Sequence, residues 1–249
     1  MRRHDLLERL HDLLRPRSYL EIGVSTGSSL TLSRTRSIGV DPFFTVKREL
    51  LCDLHLVRAT SDEFFARRHP LAHFDEPVVD LAFIDGMHLA EYALRDLINT
   101  ERFTHPTSVI VLDDMLPRSV EEADRDQARP RGRRAWAGDV FKILGVLRDL
   151  RPDLVCLHVD TEPTGTAVVL LPDASDRTLA HAYDDLVPGF VTPDPQHVPK
   201  DILRRTHAIE AERLLAAPIW DPLRRLRGRD DAVARPRVRA LLAEAGLVE

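Results

Sequence analysis

The hydrophobic positions of this chain follow two patterns, a helical repeat near the N-terminus and a series of short apolar runs. Over residues 4–14, leucines recur at spacings of three and four, which predicts an amphipathic helix. Seven apolar runs follow and predict strands at residues 19–22, 37–42, 54–59, 78–86, 108–112, 154–159 and 165–171. Helical segments are predicted at residues 28–33, 46–52, 87–97, 136–150 and 175–186.

The lengths of the connections predict how these strands pair. No crossover helix fits between the sixth and seventh runs, so we expect them to form an antiparallel hairpin. The fourth run is nearly all apolar, as in a central parallel strand covered on both faces. We predict an N-terminal helix over 1–17, a main domain over 18–187 with a polar loop at 116–135, and a helical extension over 188–249.

Composition narrows the class of protein. The chain has 249 residues and a formal net charge of -5, which does not favour nucleic-acid binding. Cys52 and Cys156 lack metal-ligand spacing and are expected to be lone thiols in a reducing compartment. The N-terminus lacks the apolar core of a signal peptide and no run is long enough to span a membrane, so we expect a cytoplasmic protein with no membrane partner.

The first strand runs directly into a glycine turn with the pattern Glu21-x-Gly23-x-x-x-Gly27, and Ser25 lies inside it. Glycines at a strand-to-helix turn allow a ligand to approach the backbone closely. The G-x-G-x-x-G pattern of dinucleotide-binding proteins is absent, which argues against an NAD-dependent oxidoreductase. A carboxylate at the strand end suits a ligand with an amino-acid end, such as S-adenosylmethionine.

Polar residues also follow the second and third strands. Asp41 lies twenty residues after Glu21, where an acid accepts hydrogen bonds from ribose hydroxyls, although Asp41-Pro42 is also turn chemistry. Ser61 or Asp62 is either the N-cap of the next helix or a contact to an adenine edge.

Three acids follow the fourth and fifth strands, namely Asp85, Asp113 and Asp114. Clustered carboxylates repel one another unless a cation joins them, and oxygen ligands select Mg²⁺, Mn²⁺ or Ca²⁺. His88 follows Asp85 by three residues, and an imidazole suits proton abstraction at neutral pH. Turn chemistry and helix capping are the alternative interpretations of these residues.

Together, the glycine turn, Asp41, the Ile84-Asp85-Gly86-x-His88 segment and the Asp113-Asp114 pair resemble class I S-adenosylmethionine-dependent methyltransferases over residues 18–171. The nearest resemblance is to metal-dependent sugar O-methyltransferases of macrolide biosynthesis. It implies a Rossmann-like, doubly wound α/β fold whose seven-stranded sheet has its last strand antiparallel.

The resemblance also implies roles for the residues. Glu21, Gly23, Ser25 and Gly27 would contact the methionine part of the cofactor, Asp41 its ribose, and Ser61 and Asp62 its adenine. Asp85, Asp113 and Asp114 would bind Mg²⁺ or another divalent cation, with His88 as the general base and Asp85 beside it in the catalytic group. The loop at 116–135, together with Trp136, would close over a small-molecule hydroxyl acceptor.

Several alternatives stay open at this stage. The chain could be a metal-independent methyltransferase, or a non-catalytic protein that binds S-adenosylmethionine. The acceptor is undefined, and a sugar hydroxyl of a glycosylated natural product is one candidate. The arginine-rich extension is expected to have a solvated face, and its apolar residues could pack against a second subunit: Leu214, Leu215, Ile219, Trp220 and Leu223.

Overall fold

The computed structural model describes residues 1–130 and 132–248. Its strands are β1 (Ser18–Ile22), β2 (Arg36–Val40), β3 (Leu54–Val57), β4 (Leu81–Ile84), β5 (Val109–Leu112), β6 (Val155–Asp160), β7 (Thr166–Leu170) and β8 (Ile209–Glu210). Its helices are α1 (Arg3–Leu14), α2 (Ser61–Phe65), α3 (Ala90–Glu101), α4 (Lys142–Leu150), α5 (Thr178–Phe190), α6 (Lys200–Leu203), α7 (Ala211–Ala216), α8 (Trp220–Leu226) and α9 (Asp231–Glu244).

The strands form one sheet in the order β3-β2-β1-β4-β5-β7-β6-β8. Strands β1 to β5 are parallel, whereas β7 is antiparallel to both β5 and β6. The predicted fold class and the predicted hairpin are therefore confirmed. The strand number is larger than predicted by one, because the C-terminal extension adds β8 in parallel beside β6.

Helices cover both faces of the sheet. One apolar core lies under α3, α4 and α5, and the other lies under α1, α7, α8 and α9. Such double coverage explains why β1, β4 and β5 are buried along their whole length. No helix within the described residues is long and apolar enough to cross a membrane.

The extension belongs to the second of these cores. Four of its apolar residues are almost fully enclosed within the chain, since Leu214, Ile219, Trp220 and Leu223 are each at most 3 % exposed. They pack in the cluster that contains the leucines of α1. These residues and the similarly buried Leu215 are thus not available to a second subunit, and this basis for an oligomer is wrong.

Most arginines of the extension are exposed, as expected of a solvated face, but others bind the main chain of the domain. Arg227 donates hydrogen bonds to the carbonyls of Leu14 and Arg15 at the end of α1. Arg235 does the same for Leu171 and Pro172 after β7. These guanidinium groups bind carbonyl groups that are left unpaired at the end of a helix and after a strand. They thereby hold the extension against the rest of the domain.

Several predicted helices differ in the structure, and the one expected over 136–150 begins only at Lys142. Residues 46–52 form no helix, because backbone groups there bond to the glycine turn instead: Lys47 N–H donates to the carbonyl of Thr26 at 3.2 Å. The segment 28–33 contains only a single 3₁₀ turn, Leu30–Leu32. The helix expected to begin at Met87-His88 begins at Ala90, which leaves His88 in the loop before it.

Candidate active site

A cavity of about 480 Å³ opens at the carboxyl ends of the parallel strands. Its wall combines residues that follow β1, β2, β3 and β4, together with the first residue of α1 and two residues of the 116–136 region: Gly23, Ser25, Asp41, Ser61, Asp62, Asp85, His88, Arg3, Gln127 and Trp136. We call it the main cavity. Ligands of open α/β sheets bind at this edge, so the cavity lies where the sequence predicts a binding site.

The turn after β1 depends on a glycine at position 23. Gly23 has a φ of +90°, and a Cβ there would lie 1.8 Å from the carbonyl oxygen of Asp85. Its N–H donates to the carbonyl of Val40 at 2.9 Å, which extends the sheet by one bond. Only glycine permits this approach, and it brings the turn after β1 against the turn after β4.

Glu21 lies away from the main cavity, contrary to its predicted contact with the cofactor. Its carboxylate is fully buried and accepts hydrogen bonds from the hydroxyls of Tyr19 at 2.6 Å and Ser29 at 2.7 Å. Gly27 is also absent from the wall, and its positive φ shapes the turn while Val46 packs beside it. Glu21 therefore supports the glycine turn from inside the protein through its bond to Ser29, whereas Gly23 and Ser25 line the cavity.

Asp41 lies on the cavity wall, where an acid for a ribose is expected. Its Oδ2 accepts the N–H of Ser25 at 2.7 Å, and its Oδ1 accepts the N–H of Phe43 at 2.6 Å. Both interpretations from the sequence are therefore compatible with its geometry. A carboxylate oxygen accepts more than one hydrogen bond, so each oxygen keeps capacity for a ligand hydroxyl.

The residues after β3 also reach the cavity. Thr60 is the N-cap of α2, with Glu63 completing a capping box, so capping falls to Thr60 and not to Ser61 or Asp62. Asp62 pairs with Arg95 at 2.5 Å. Asp96, which sequence reasoning missed, also lines the cavity; burial raises its pKa to about 7, against a hydrogen bond from Ser61 that lowers it.

His88 is fixed by residues from a distant part of the chain. Its Nδ1 lies 2.8 Å from the carbonyl oxygen of Trp136, and its ring stacks on the indole with centroids 4.6 Å apart. A carbonyl only accepts, so Nδ1 carries the proton and Nε2 is the second nitrogen of the ring. Nε2 lies 3.3 Å from Asp85 Oδ1 and 3.2 Å from Asp114 Oδ2.

The acids are brought together only in part as predicted. One ligand atom from each of Asp85, His88 and Asp114 lies within 4.8 Å of the others, the one such group of His, Cys, Asp and Glu side chains in the described residues. Asp114 also accepts a hydrogen bond from the Thr164 hydroxyl. Asp113 instead faces Arg3, whose Nη1 lies 2.9 Å from its Oδ2. No sequence signal pointed to Arg3 or Thr164.

Burial shifts the pKa values of the acids and the histidine of this site. It raises the pKa of Asp114 to about 6, although the charge of His88 lowers it, and it raises the pKa of Asp113 well above its ordinary value. Burial alone would lower the pKa of His88, but the hydrogen bond to Asp85 and the charges of Asp114 and Asp85 raise it to about 9. The site thus holds more buried carboxylate than Arg3 and His88 readily compensate.

The loop at 116–135 is anchored on its inner side. Arg125 lies 2.5 Å from Glu91 Oε1 on α3 and 2.6 Å from Asp139 Oδ2, and Asp139 is fully buried. The Trp136 indole N–H donates to the carbonyl of Asp124 at 2.7 Å. These contacts hold Trp136 against His88, while Arg131 of this loop lies outside the described residues.

Residues 20–115 match a family model described as a methyltransferase domain. This part of the chain is similar to a methyltransferase domain. The match covers the glycine turn, Asp41 and all three acids, so the predicted methyltransferase is confirmed over the segment that carries them. None of the curated proteins compared with the chain matches it.

Solved structures also resemble this chain, at low identity. The O-methyltransferase TomG from Streptomyces achromogenes, in complex with SAM, is 19% identical over 68% of this chain and 78% of its own, with a TM-score of 0.45. The SAH-bound methyltransferase PaMTH1 from Podospora anserina is 13% identical over 68% and 78%, with a TM-score of 0.49. The MycE methyltransferase from the mycinamycin biosynthetic pathway, in complex with Mg and SAH, is 19% identical over 68% and 48%, with a TM-score of 0.45.

Proposed function

We propose that this chain is an S-adenosylmethionine-dependent O-methyltransferase that uses a divalent cation and methylates a hydroxyl of a small molecule. One observation carries the proposal: the glycine turn and Asp41 share the main cavity with Asp85 and His88, beside Asp114. A cofactor contact and a proton acceptor therefore face one space. That arrangement is what methyl transfer to a hydroxyl requires.

The residues fit a divalent cation. Asp85 and Asp114 supply hard oxygen ligands, and the buried Oδ2 of Asp114 accepts no well-aligned hydrogen bond from the described residues. The Thr164 hydroxyl donates a hydrogen bond to Oδ1 of Asp114 and so orients its carboxylate, as residues that bond to metal ligands commonly do. In our proposal these two acids hold the cation, and Asp113 joins them once Arg3 releases it.

The proposed chemistry divides between bound groups and the chain. S-adenosylmethionine supplies an electrophilic methyl group, and a divalent cation supplies a Lewis acid that lowers the pKa of a nearby hydroxyl. Nδ1 of His88 is committed to the carbonyl of Trp136, so Nε2 is the nitrogen that would accept the proton of that hydroxyl. It could do so once a bound cation neutralises Asp85 and Asp114, because burial lowers the pKa of His88 but the charges of these acids raise it to about 9. Trp136 and the anchored loop restrict water at the same point.

The cavity wall narrows the acceptor to a class. Met87, Tyr92 and Trp136 provide apolar surface, and Gln127 provides an amide beside them. Such a mixed wall suits a compact polyol or sugar presented on an apolar body. A sugar hydroxyl of a glycosylated natural product therefore remains our preferred acceptor, without nucleic acid or membrane as partner.

Calorimetric titration tests this proposal. S-adenosylhomocysteine should bind the wild-type chain with micromolar affinity, and Mg²⁺ should give a separate binding heat. Asp114→Asn should abolish the Mg²⁺ heat and keep the nucleoside heat, because Asp114 is outside the nucleoside part of the cavity wall. Asp149→Asn, which changes an exposed acid paired with Arg148, is the matched control and should leave both heats unchanged.

Each alternative has its own outcome. Binding of the nucleoside without any Mg²⁺ heat would favour a metal-independent methyltransferase. Nucleoside and Mg²⁺ binding without acceptor-dependent release of S-adenosylhomocysteine, over a broad panel of hydroxyl compounds, would favour a non-catalytic binding protein. Absence of nucleoside binding would refute the proposal as a whole.

A further inference from the structure

The acid group contains a cation that belongs to the chain itself. Arg3 is the first residue of α1, and its Nη2 lies 3.8 Å from Asp85 Oδ2 while Nη1 lies 2.9 Å from Asp113 Oδ2. The side chain of Asp113 is 1% exposed, so it depends on a buried partner. Arg3 supplies that partner from a helix remote in sequence.

The segment that carries Arg3 is fixed to another wall of the site. Arg3 N–H donates to the carbonyl of Glu162 at 3.3 Å, and Glu162 N–H donates to the carbonyl of Met1 at 2.9 Å. The turn that contains Glu162 also contains Thr164, which donates to Asp114. The N-terminus and the acid group are therefore joined through one turn between β6 and β7.

We propose that Arg3 and the divalent cation are alternative partners of Asp113, so that metal binding displaces the Arg3 guanidinium. This inference rests on the metal site of the proposed function. A guanidinium at 2.9 Å from Asp113 Oδ2 occupies the approach to that oxygen, and two cations at the same carboxylate repel each other. Arg3 keeps the buried acid compensated until a metal ion replaces it.

Such competition has a measurable consequence in both directions. Removing the guanidinium strengthens metal binding, and metal binding weakens the contacts of the N-terminal segment, because coupling between two sites is reciprocal. Occupation of one coupled site commonly changes the affinity of the other by about 5–150-fold. We expect the change at Arg3 to fall within that range.

Mn²⁺ is the probe, because electron paramagnetic resonance counts free and bound ion without any turnover. Arg3→Met should bind Mn²⁺ about tenfold or more tightly than the wild type. Arg9→Met, at an exposed position of the same helix, is the matched control and should bind Mn²⁺ as the wild type does. In an Asp113→Asn background, Arg3→Met should have a smaller effect, because the shared carboxylate is gone and only the longer contact of Arg3 with Asp85 remains.

A second measurement uses the wild-type chain alone, which covers the case of a variant that does not fold. Mn²⁺ should accelerate hydrogen exchange at the backbone amides of Arg3 and Glu162. Unchanged or weaker Mn²⁺ binding by a folded Arg3→Met chain would overturn the inference, as would unaltered exchange. Weaker binding of S-adenosylhomocysteine with unchanged Mn²⁺ binding would instead make Arg3 a cofactor ligand and would also overturn it.

The two proposals fail in distinguishable ways. If no chain binds Mn²⁺ while S-adenosylhomocysteine still binds, the metal site of the proposed function fails, and the competition fails with it. If Mn²⁺ binds equally to the wild type and to Arg3→Met, the metal site stands and only the competition is refuted.

Discussion

Glu21 offers a test of how a buried acid affects this fold. Burial raises its pKa to about 8 from an ordinary value of 4.5, although hydrogen bonds from Tyr19 and Ser29 lower it. Between these two pKa values the folded chain holds a proton that the unfolded chain has lost. The free energy of unfolding should therefore fall with rising pH, by about 1.4 kcal/mol per unit and about 4–5 kcal/mol in total. This contribution is fully present below the unfolded pKa.

Glu21→Gln replaces the carboxyl with a neutral group of the same shape. The stability of the variant should lack this pH-dependent contribution. The free energy of unfolding of the variant minus that of the wild type should therefore increase from about pH 5 to about pH 8. Urea denaturation followed by circular dichroism at a series of pH values measures the difference. Glu212→Gln, at an exposed position, is the control and should follow the wild type.

A difference between Glu21→Gln and the wild type that does not vary with pH would refute this reasoning. It would mean that Glu21 stays ionised in the fold, as an acceptor of both the Tyr19 and Ser29 hydroxyl groups. Since Glu21 lies outside the cavity wall, binding of S-adenosylhomocysteine should be the same in both chains below about pH 6.

Three further substitutions test the turns and contacts that build the site. Gly23→Ala should lose at least about 4 kcal/mol of stability in urea denaturation, because its Cβ meets the carbonyl of Asp85. His88→Gln should lower acceptor-dependent release of S-adenosylhomocysteine by about 10²–10⁴-fold and keep nucleoside binding. Arg125→Met should cost about 1.5–3 kcal/mol by leaving Asp139 with one cation fewer, and should speed proteolysis of the 116–135 loop.

Matched controls separate these effects from general damage. Gly132→Ala has a similar positive φ with nothing within 4 Å of the added Cβ, so it isolates backbone strain from the clash. His69→Gln and Arg133→Met change exposed side chains of the same type. Equal losses in a variant and its control would contradict the corresponding prediction.

The fold was largely predictable because its signals are local. Apolar runs marked seven of the eight strands, and the short connection before β7 fixed the hairpin. The two-residue β8 has no such signal, since it exists only where the extension passes the edge of β6. The helix expected at residues 46–52 failed for a related reason: its backbone bonds to the glycine turn, which a local pattern cannot show.

The site was predictable where a residue directly follows the last residue of a parallel strand. Asp41, Asp85 and Asp113 each occupy that position, after β2, β4 and β5, and each lies at the site. Glu21 comes one residue before the end of β1, where a side chain points to a face of the sheet and not along the strand. Its side chain is therefore buried below the turn and does not line the cavity.

Arg3 shows what the sequence could not supply. The periodic leucines of its helix account for the helical pattern, and a basic residue at the start of that helix gives no sign of a role in the site. Only the tertiary docking of α1 brings its guanidinium to Asp113, the residue after β5. The charge balance of the site is therefore a property of the tertiary fold: a cluster read as three free acids in the sequence already contains one internal cation. If our proposal holds, the acids alone overstate the affinity of the site for a metal ion, and comparison with the Arg3→Met chain measures by how much.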